Sequence, residues 1–150
     1  MEESAIISME IGKTVRGIKR FFESKKNFEN FNEATQNQCH IIGFLYENRE
    51  KEIYQKDIEK EFDIRRSTAT NMLKLMEKNG YIERFRVKND ERLKRISLTP
   101  QAKQVGQKIG SRMESLNRQI EQGITPEEKR IFFEVLEKIN NNVKVGDEIV

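Results

Sequence analysis

Along most of the chain apolar residues recur at steps of three and four, and in one short stretch they alternate singly, a pattern that predicts helices around a small β-hairpin. From Ser4 to about Ser24, Ile7, Ile11, Ile18 and Phe22, with Val15 between, make one apolar stripe. Residues 25–34 are rich in Asn and lose the period, so they read as a connection. Thr35 and Gln38 have the spacing of a capping box, in which each side chain satisfies the other's free backbone N–H. They open a second helix that carries Ile41, Ile42, Phe44 and Leu45 to about Asn48. Ile53-Tyr54 reads as a short strand, and a third helix runs from Gln55 to Phe62 with Ile58 and Phe62 on one face.

Asp63-Ile64 leaves room for a turn only, and a fourth helix begins near Arg65 or Arg66 and runs to Asn79. Ala69, Leu73 and Met76, with Met72 alongside, form its apolar stripe, and Gly80 supplies the left-handed stop. Two helices joined this tightly make a helix-turn-helix. Tyr81–Val87 and Leu93–Thr99 have strand length and are linked by Lys88-Asn89-Asp90-Glu91-Arg92. In the second strand Ile96 and Leu98 alternate with Arg95 and Ser97. Thr99-Pro100 opens a long fifth helix with Ala102, Val105, Ile109, Met113, Leu116, Ile120 and Ile124 in one stripe that Gly123 ends. Thr125-Pro126-Glu127-Glu128 starts a sixth, which carries Phe132, Val135, Ile139 and Val143. The expected fold is mainly α with a small β-hairpin wing, in the order α-α-(β)-α-α-β-β-α-α.

Charge sharpens this picture. From Arg65 to Arg95 there are ten basic residues against four acidic ones, a net +6 in a chain of +3, so the rest carries −3. Localised positive charge on a helix-turn-helix and hairpin points to a polyanionic partner. The hydrophobic content of 35% is lean for a 150-residue monomer, which implies apolar surface buried between subunits. A mean hydropathy of −0.80 hints at disorder, but the periodicity argues for a folded chain. Met1-Glu2-Glu3-Ser4 is acidic and leads into no apolar run, and no segment approaches the length needed to cross a bilayer, so the expected location is the cytoplasm with no membrane partner.

The segments RRSTATNMLKLMEKNGYIER and DERLKRISLT carry a further signal. Together they resemble the MarR family of bacterial winged helix-turn-helix transcriptional regulators, in motif from about Thr35 to Lys103 and in helix order over the whole chain. The family's Asp-x-Arg pair stands here as Asp90 and Arg92, ahead of an apolar residue, Ser, Leu and Thr. Two positions depart from the pattern: Ala102 stands where the family commonly has Gly, and Asn71 where it often has a basic residue. The resemblance implies three parts, an N-terminal dimerisation helix (1–30), a winged helix-turn-helix DNA-binding domain (35–99) and C-terminal dimerisation helices (100–146). It also implies a homodimeric repressor on double-stranded DNA, a crevice for a small-molecule effector between the dimer helices and the DNA-binding lobe, and no enzymatic activity. Arg92 would then enter the minor groove with Asp90 orienting it.

The side chains of the fourth helix suit that role. The major groove, about 12 Å wide, admits one helix. Asn71 is able to bond an adenine edge through both amide groups, and Arg66 to fork onto guanine. Ser67, Thr68 and Thr70 suit phosphate or thymine-methyl contacts, Lys74 lies toward the same side of the helix, and Arg84, Arg86, Lys88, Lys94 and Arg95 would mostly meet phosphates. Cys39 and His40 are adjacent on a helix, so they point about 100° apart and form no facing dyad. Cys39 reads as a buried structural thiol and His40 as a lightly packed residue, with no cofactor and no metal site. Two rival readings stay open: a redox-responsive regulator acting through Cys39, and a winged-helix module that binds protein.

Overall fold

The computed structural model describes residues 5–28, 30–87 and 90–145, and of residues 91 and 92 the backbone only. The expected order of elements is present: α1 (Ile7–Lys25), α2 (Gln36–Glu47), β1 (Ile53–Tyr54), α3 (Gln55–Glu61), α4 (Arg66–Lys78), β2 (Ile82–Val87), β3 (Asp90–Leu98), α5 (Pro100–Ile120) and α6 (Pro126–Val143). The chain divides into two units, one ending at Asn117 and the other beginning at Arg118.

Local chemistry sets most of the helix starts. Gln38 N–H donates to Thr35 Oγ1 at 3.2 Å and Thr35 N–H to Gln38 Oε1 at 3.1 Å, so both halves of the box that opens α2 form. Tyr54 N–H donates to Asp57 Oδ2 at 2.8 Å at the start of α3. Thr99 Oγ1 accepts from Ala102 N–H at 3.2 Å where Pro100 begins α5. After α4, Gly80 takes the left-handed conformation (φ +78°) that turns the chain into the wing.

The three strands form one antiparallel sheet in the order β1-β3-β2. Ile53 pairs with Ile96, and Ile82 with Leu98, and all four side chains are buried under the helices. The hairpin departs from expectation. The run Asp90-Glu91-Arg92 belongs to β3 rather than to a five-residue link, and Asp90 pairs with Val87 across an irregularity in register after Arg86. A strand that projects beyond the core exposes both faces, so no alternation of apolar and polar residues marks it in the sequence. Lys88 and Asn89, which the sequence placed in the link, lie outside the described residues.

A second departure lies at the end of α5. The helix stops at Ile120, and Ile124, assigned to its stripe, falls outside it. Gln122 N–H bonds Gln119 O and Ile124 N–H bonds Glu121 O, a tightened turn that Gly123 (φ +82°) completes. The strong start of α6 at Thr125 requires that turn, because the Thr125–Glu128 box holds the N-cap residue in an extended conformation.

The first unit has one apolar core, built around Phe22, Ile41, Ile42, Ile58, Leu73, Met76, Ile82, Ile109 and Leu116. The connection between α1 and α2 contributes to it: Phe28, Phe31 and Ala34 are buried, and Phe31 stacks on Tyr81 with ring centroids 4.9 Å apart. Lys26 ties this segment down, with Nζ donating to Ala34 O at 2.7 Å and paired to Glu23 at 3.2 Å. On α5, Arg112 Nη2 donates to Lys25 O at 3.1 Å, which fixes the end of α1 to the same helix. In the second unit α6 has no buried residue, and Phe132, Phe133 and Val143 are more than half exposed.

α2 and α5 approach most closely through glycines. A Cβ on Gly106 would lie 2.9 Å from Tyr46 Cδ2 and 3.1 Å from Tyr46 Cβ, and one on Gly43 would lie 3.2 Å from Gly110 Cα. Gly106→Ala is therefore expected to destabilise the fold by about 1–3 kcal/mol, as overpacking does, although Ala alone favours a helix. Urea unfolding measures it, and an unchanged or higher midpoint would show that the helices do not meet this closely.

Candidate nucleic-acid interface

The turn between α3 and α4 is set by Asp63, whose φ of +47° reverses the chain after Phe62. Ile64 N–H then bonds Glu59 O at 3.1 Å, closing the end of α3 over its own carbonyls. α4 is buried along one side. Ala69, Leu73 and Met76 are fully buried, and Arg66, Ser67, Thr68, Asn71 and Lys74 are exposed. With roughly 100° between successive residues, Ser67, Asn71 and Lys74 stand opposite the buried stripe, while Arg66 and Thr70 share one flank and Thr68 lies on the other.

That flank faces a groove of about 490 Å³ between the helix-turn-helix and the wing, lined by Tyr54, Gln55, Arg66, Thr70, Arg84 and Lys94 among others. Thr70 is half-buried in it and accepts from Gln55 Nε2 at 2.9 Å. Gln55 was not singled out from the sequence, because a lone Gln at a helix start carries no periodic or motif signal.

On the wing the basic residues separate into two kinds. Arg84 lies on the inner face, its side chain 16% exposed, with Nε donating to Glu77 Oε2 at 2.6 Å. That hydrogen bond holds the Glu77 carboxyl below the usual carboxylate range. Arg84 thus braces β2 against α4 by charge pairing. Arg86, Lys94 and Arg95 are exposed, and the Arg95 guanidinium lies 5.4 Å from the centre of the Phe85 ring. Asp90 is exposed within β3, and Arg92 contributes backbone to the same strand while its side chain lies outside the described residues.

Cys39 is fully buried on α2, and burial pushes its thiol up to about 12. His40 is half-buried, and desolvation lowers its pKa. Among the described residues no three His, Cys, Asp or Glu side chains are grouped to hold a metal ion, and no helix is long and apolar enough to cross a membrane.

Residues 34–94 match the model of the MarR family. Over 116 residues the chain is 27% identical to the uncharacterized HTH-type transcriptional regulator YdgJ of Bacillus subtilis, covering 77% of this chain and 70% of that protein. The haem-free form of PefR, a protein of Streptococcus agalactiae, superposes with a TM-score of 0.72 at 28% identity over 90% of this chain and 95% of PefR. The MepR–DNA complex of Staphylococcus aureus shares the fold, with a TM-score of 0.76 at 23% identity over 93% of this chain and 100% of MepR.

The environment of Cys39 has two measurable consequences. With a folded pKa above the value of 9.0 for a free thiol, the native state retains a proton that the unfolded chain loses, so stability is to fall as pH rises from about 9 toward about 12. Below pH 9 this group gives no pH dependence. A soluble thiol reagent at pH 8 should label the native protein only at the rate of its opening, and the unfolded protein at once. Rapid stoichiometric labelling of the native state would contradict the burial.

Proposed function

We propose that the chain is a winged helix-turn-helix transcriptional regulator of the MarR family, a DNA-binding protein without enzymatic activity, and that it acts as a homodimeric repressor on a pseudo-palindromic operator. The observation that carries this reading is the row Ser67, Asn71 and Lys74, presented outward from a helix whose opposite side is buried and which stands beside a basic wing. In this reading α4 enters the major groove, with Asn71 and Arg66 on base edges and Ser67, Thr68, Thr70 and Lys74 on the backbone or thymine methyls. Arg86 meets phosphate from the wing. Arg84 supports it from behind while paired to Glu77, and Arg92, oriented by Asp90, enters the minor groove, where negative potential is concentrated.

Uncovered apolar surface supports the dimer. Ile7 and Val15 on α1 are each 59% exposed, and α6 presents Phe132 at 57%. Burial of about 25 cal/mol per Å² makes a second copy the natural cover for such faces. Residues 1–30 and 100–146 would then form the dimerisation parts and residues 35–99 the DNA-binding part, with the recognition helices roughly 34 Å apart in successive major grooves. MepR has been solved with DNA, and PefR is described as a haem sensor, which supports both a duplex partner and relief of repression by a small-molecule effector. A cavity of about 550 Å³ beside Phe31, Tyr81, Gln104 and Val105 suits that effector, lying where the connection to α1 meets α5 and the end of α4. The cytoplasm is the compartment this role requires. Redox control through Cys39 has no support from a thiol this buried and this weakly acidic.

Selection from random duplex DNA tests the proposal as a whole. It should return two inverted half-sites about one helical turn apart, bound with an affinity that falls steeply with salt. A single unpaired half-site would remove the dimer, and no enrichment would remove the operator. On the selected duplex Arg92→Ala should weaken binding strongly with the unfolding midpoint unchanged. Asn71→Ala should relax discrimination at one base position by about 1–3 kcal/mol.

A further inference from the structure

Thr70 is held unlike an ordinary helical threonine. In a helix interior a Thr hydroxyl commonly donates back to the carbonyl four residues earlier. Thr14 on α1 does so, with Oγ1 2.9 Å from Glu10 O. At Thr70 the corresponding carbonyl, Arg66 O, is met instead by Gln55 Nε2 at 3.3 Å, and the same nitrogen donates to Thr70 Oγ1 at 2.9 Å. A carbonyl oxygen only accepts, so the amide nitrogen of Gln55 must face α4, and its two hydrogens serve these two oxygens. One lone pair of the Thr70 hydroxyl is thereby occupied. Among the described residues no protein acceptor takes its hydrogen.

We propose that Gln55 is a positioning residue of the DNA interface, which keeps the Thr70 hydroxyl from bonding back to its own helix and presents it as a donor to a phosphodiester oxygen. The inference rests on α4 entering the major groove. Position on the helix selects phosphate over base. Asn71 lies opposite the buried stripe, toward the groove floor, whereas Thr70 is roughly 100° from Ala69, on the flank that would face a groove wall. The walls of the major groove are sugar and phosphate. Gln55 and Thr70 are both half-buried beside a groove that Lys56, Arg66, Arg84 and Lys94 line together with Glu59, so an anion there meets a fixed donor in a mainly cationic setting.

The test uses the full chain and the duplex it selects from random DNA. Thr70→Val, which removes the hydroxyl and keeps the shape, should weaken binding roughly tenfold, the scale of one hydrogen bond to a charged acceptor. Thr70→Ser should restore most of it. Gln55→Met should weaken binding several-fold alone and add nothing on top of Thr70→Val. Base preference and the salt slope should stay as in the wild type, since neither residue carries charge or reads a base. A neutral methylphosphonate at the contacted linkage removes the attraction of the nearby cations in both proteins, so it should cost the wild type more than it costs Thr70→Val, by about what Thr70→Val itself costs. Equal unfolding midpoints would exclude a folding cause. The inference is overturned if Gln55→Met adds its full loss to Thr70→Val, if Thr70→Val changes the preferred bases, or if Thr70→Val binds as the wild type while Asn71→Ala loses discrimination. Wild-type binding by both Thr70→Val and Asn71→Ala would remove the groove assignment itself, and this inference with it.

Discussion

One threonine joins the parts that must move together. Thr99 donates its hydroxyl to Gly80 O at 2.8 Å, accepts from Ala102 N–H, and through its backbone N–H bonds Tyr81 O at 3.2 Å. Three things therefore converge at a single residue: the exit from α4, the closure of the hairpin and the start of α5. Each taken alone is a modest interaction, a cap or a hydrogen bond of roughly 1 kcal/mol. Their value lies in geometry, because the wing is unable to change its angle to α4 without disturbing the first turn of α5. The Arg84–Glu77 pair adds a second point of attachment between wing and helix. Two attachments fix an angle where one would leave a pivot.

The sequence was most legible where burial and capping act locally. The stripe of Ala69, Leu73 and Met76, the two Thr boxes at Thr35 and Thr125, and the stop at Gly80 all depend on neighbours within one turn, and all appear where the spacing predicts. It was least legible where a residue's state depends on distant partners. Phe28 and Phe31 show no period, yet they are buried, because the core they reach is made by Tyr81 and the α2 face. The extension of β3 to Asp90 was hidden by three consecutive charged or polar residues, since a strand outside the core has no apolar face to announce it. At the interface, the exposed row on α4 was readable from helical geometry. The difference between Arg84 and Arg86 was not, because it depends on which face of β2 turns toward Glu77.

This sorting changes what the net positive charge of the segment means. A count treats all its cations alike, but a cation already paired to a carboxylate releases less free energy on meeting a phosphate, since its partner must be displaced or shared. Arg84 is spent largely on structure. Arg66, Lys74, Arg86 and Lys94 stand exposed, and they set the field that a duplex would meet. In the proposed complex, directional contacts to phosphate would set register within that field, and a fixed hydroxyl on α4 would contribute more to placement than its energy alone indicates.

The same connectivity constrains how any effector would act. The cavity beside Phe31 and Tyr81 is bounded by the connection that Lys26 fastens and by the first turns of α5. Tyr81 directly follows the Gly80 turn and directly precedes β2, so a ligand wedged against it would push on the chain that joins α4 to the wing. Close packing transmits such a push as a rigid shift, because the interior has no slack to absorb it. A ligand shifts the lobes only by the difference in its affinity for the two arrangements. Thr99 couples the wing to the first turn of α5, and Ala102, Ile109 and Leu116 of α5 are buried in the same core, so such a push would shift the winged lobe and this stretch of α5 together. Under the proposed repression, relief would then come through the spacing of two such lobes, with the reading surface of each left intact.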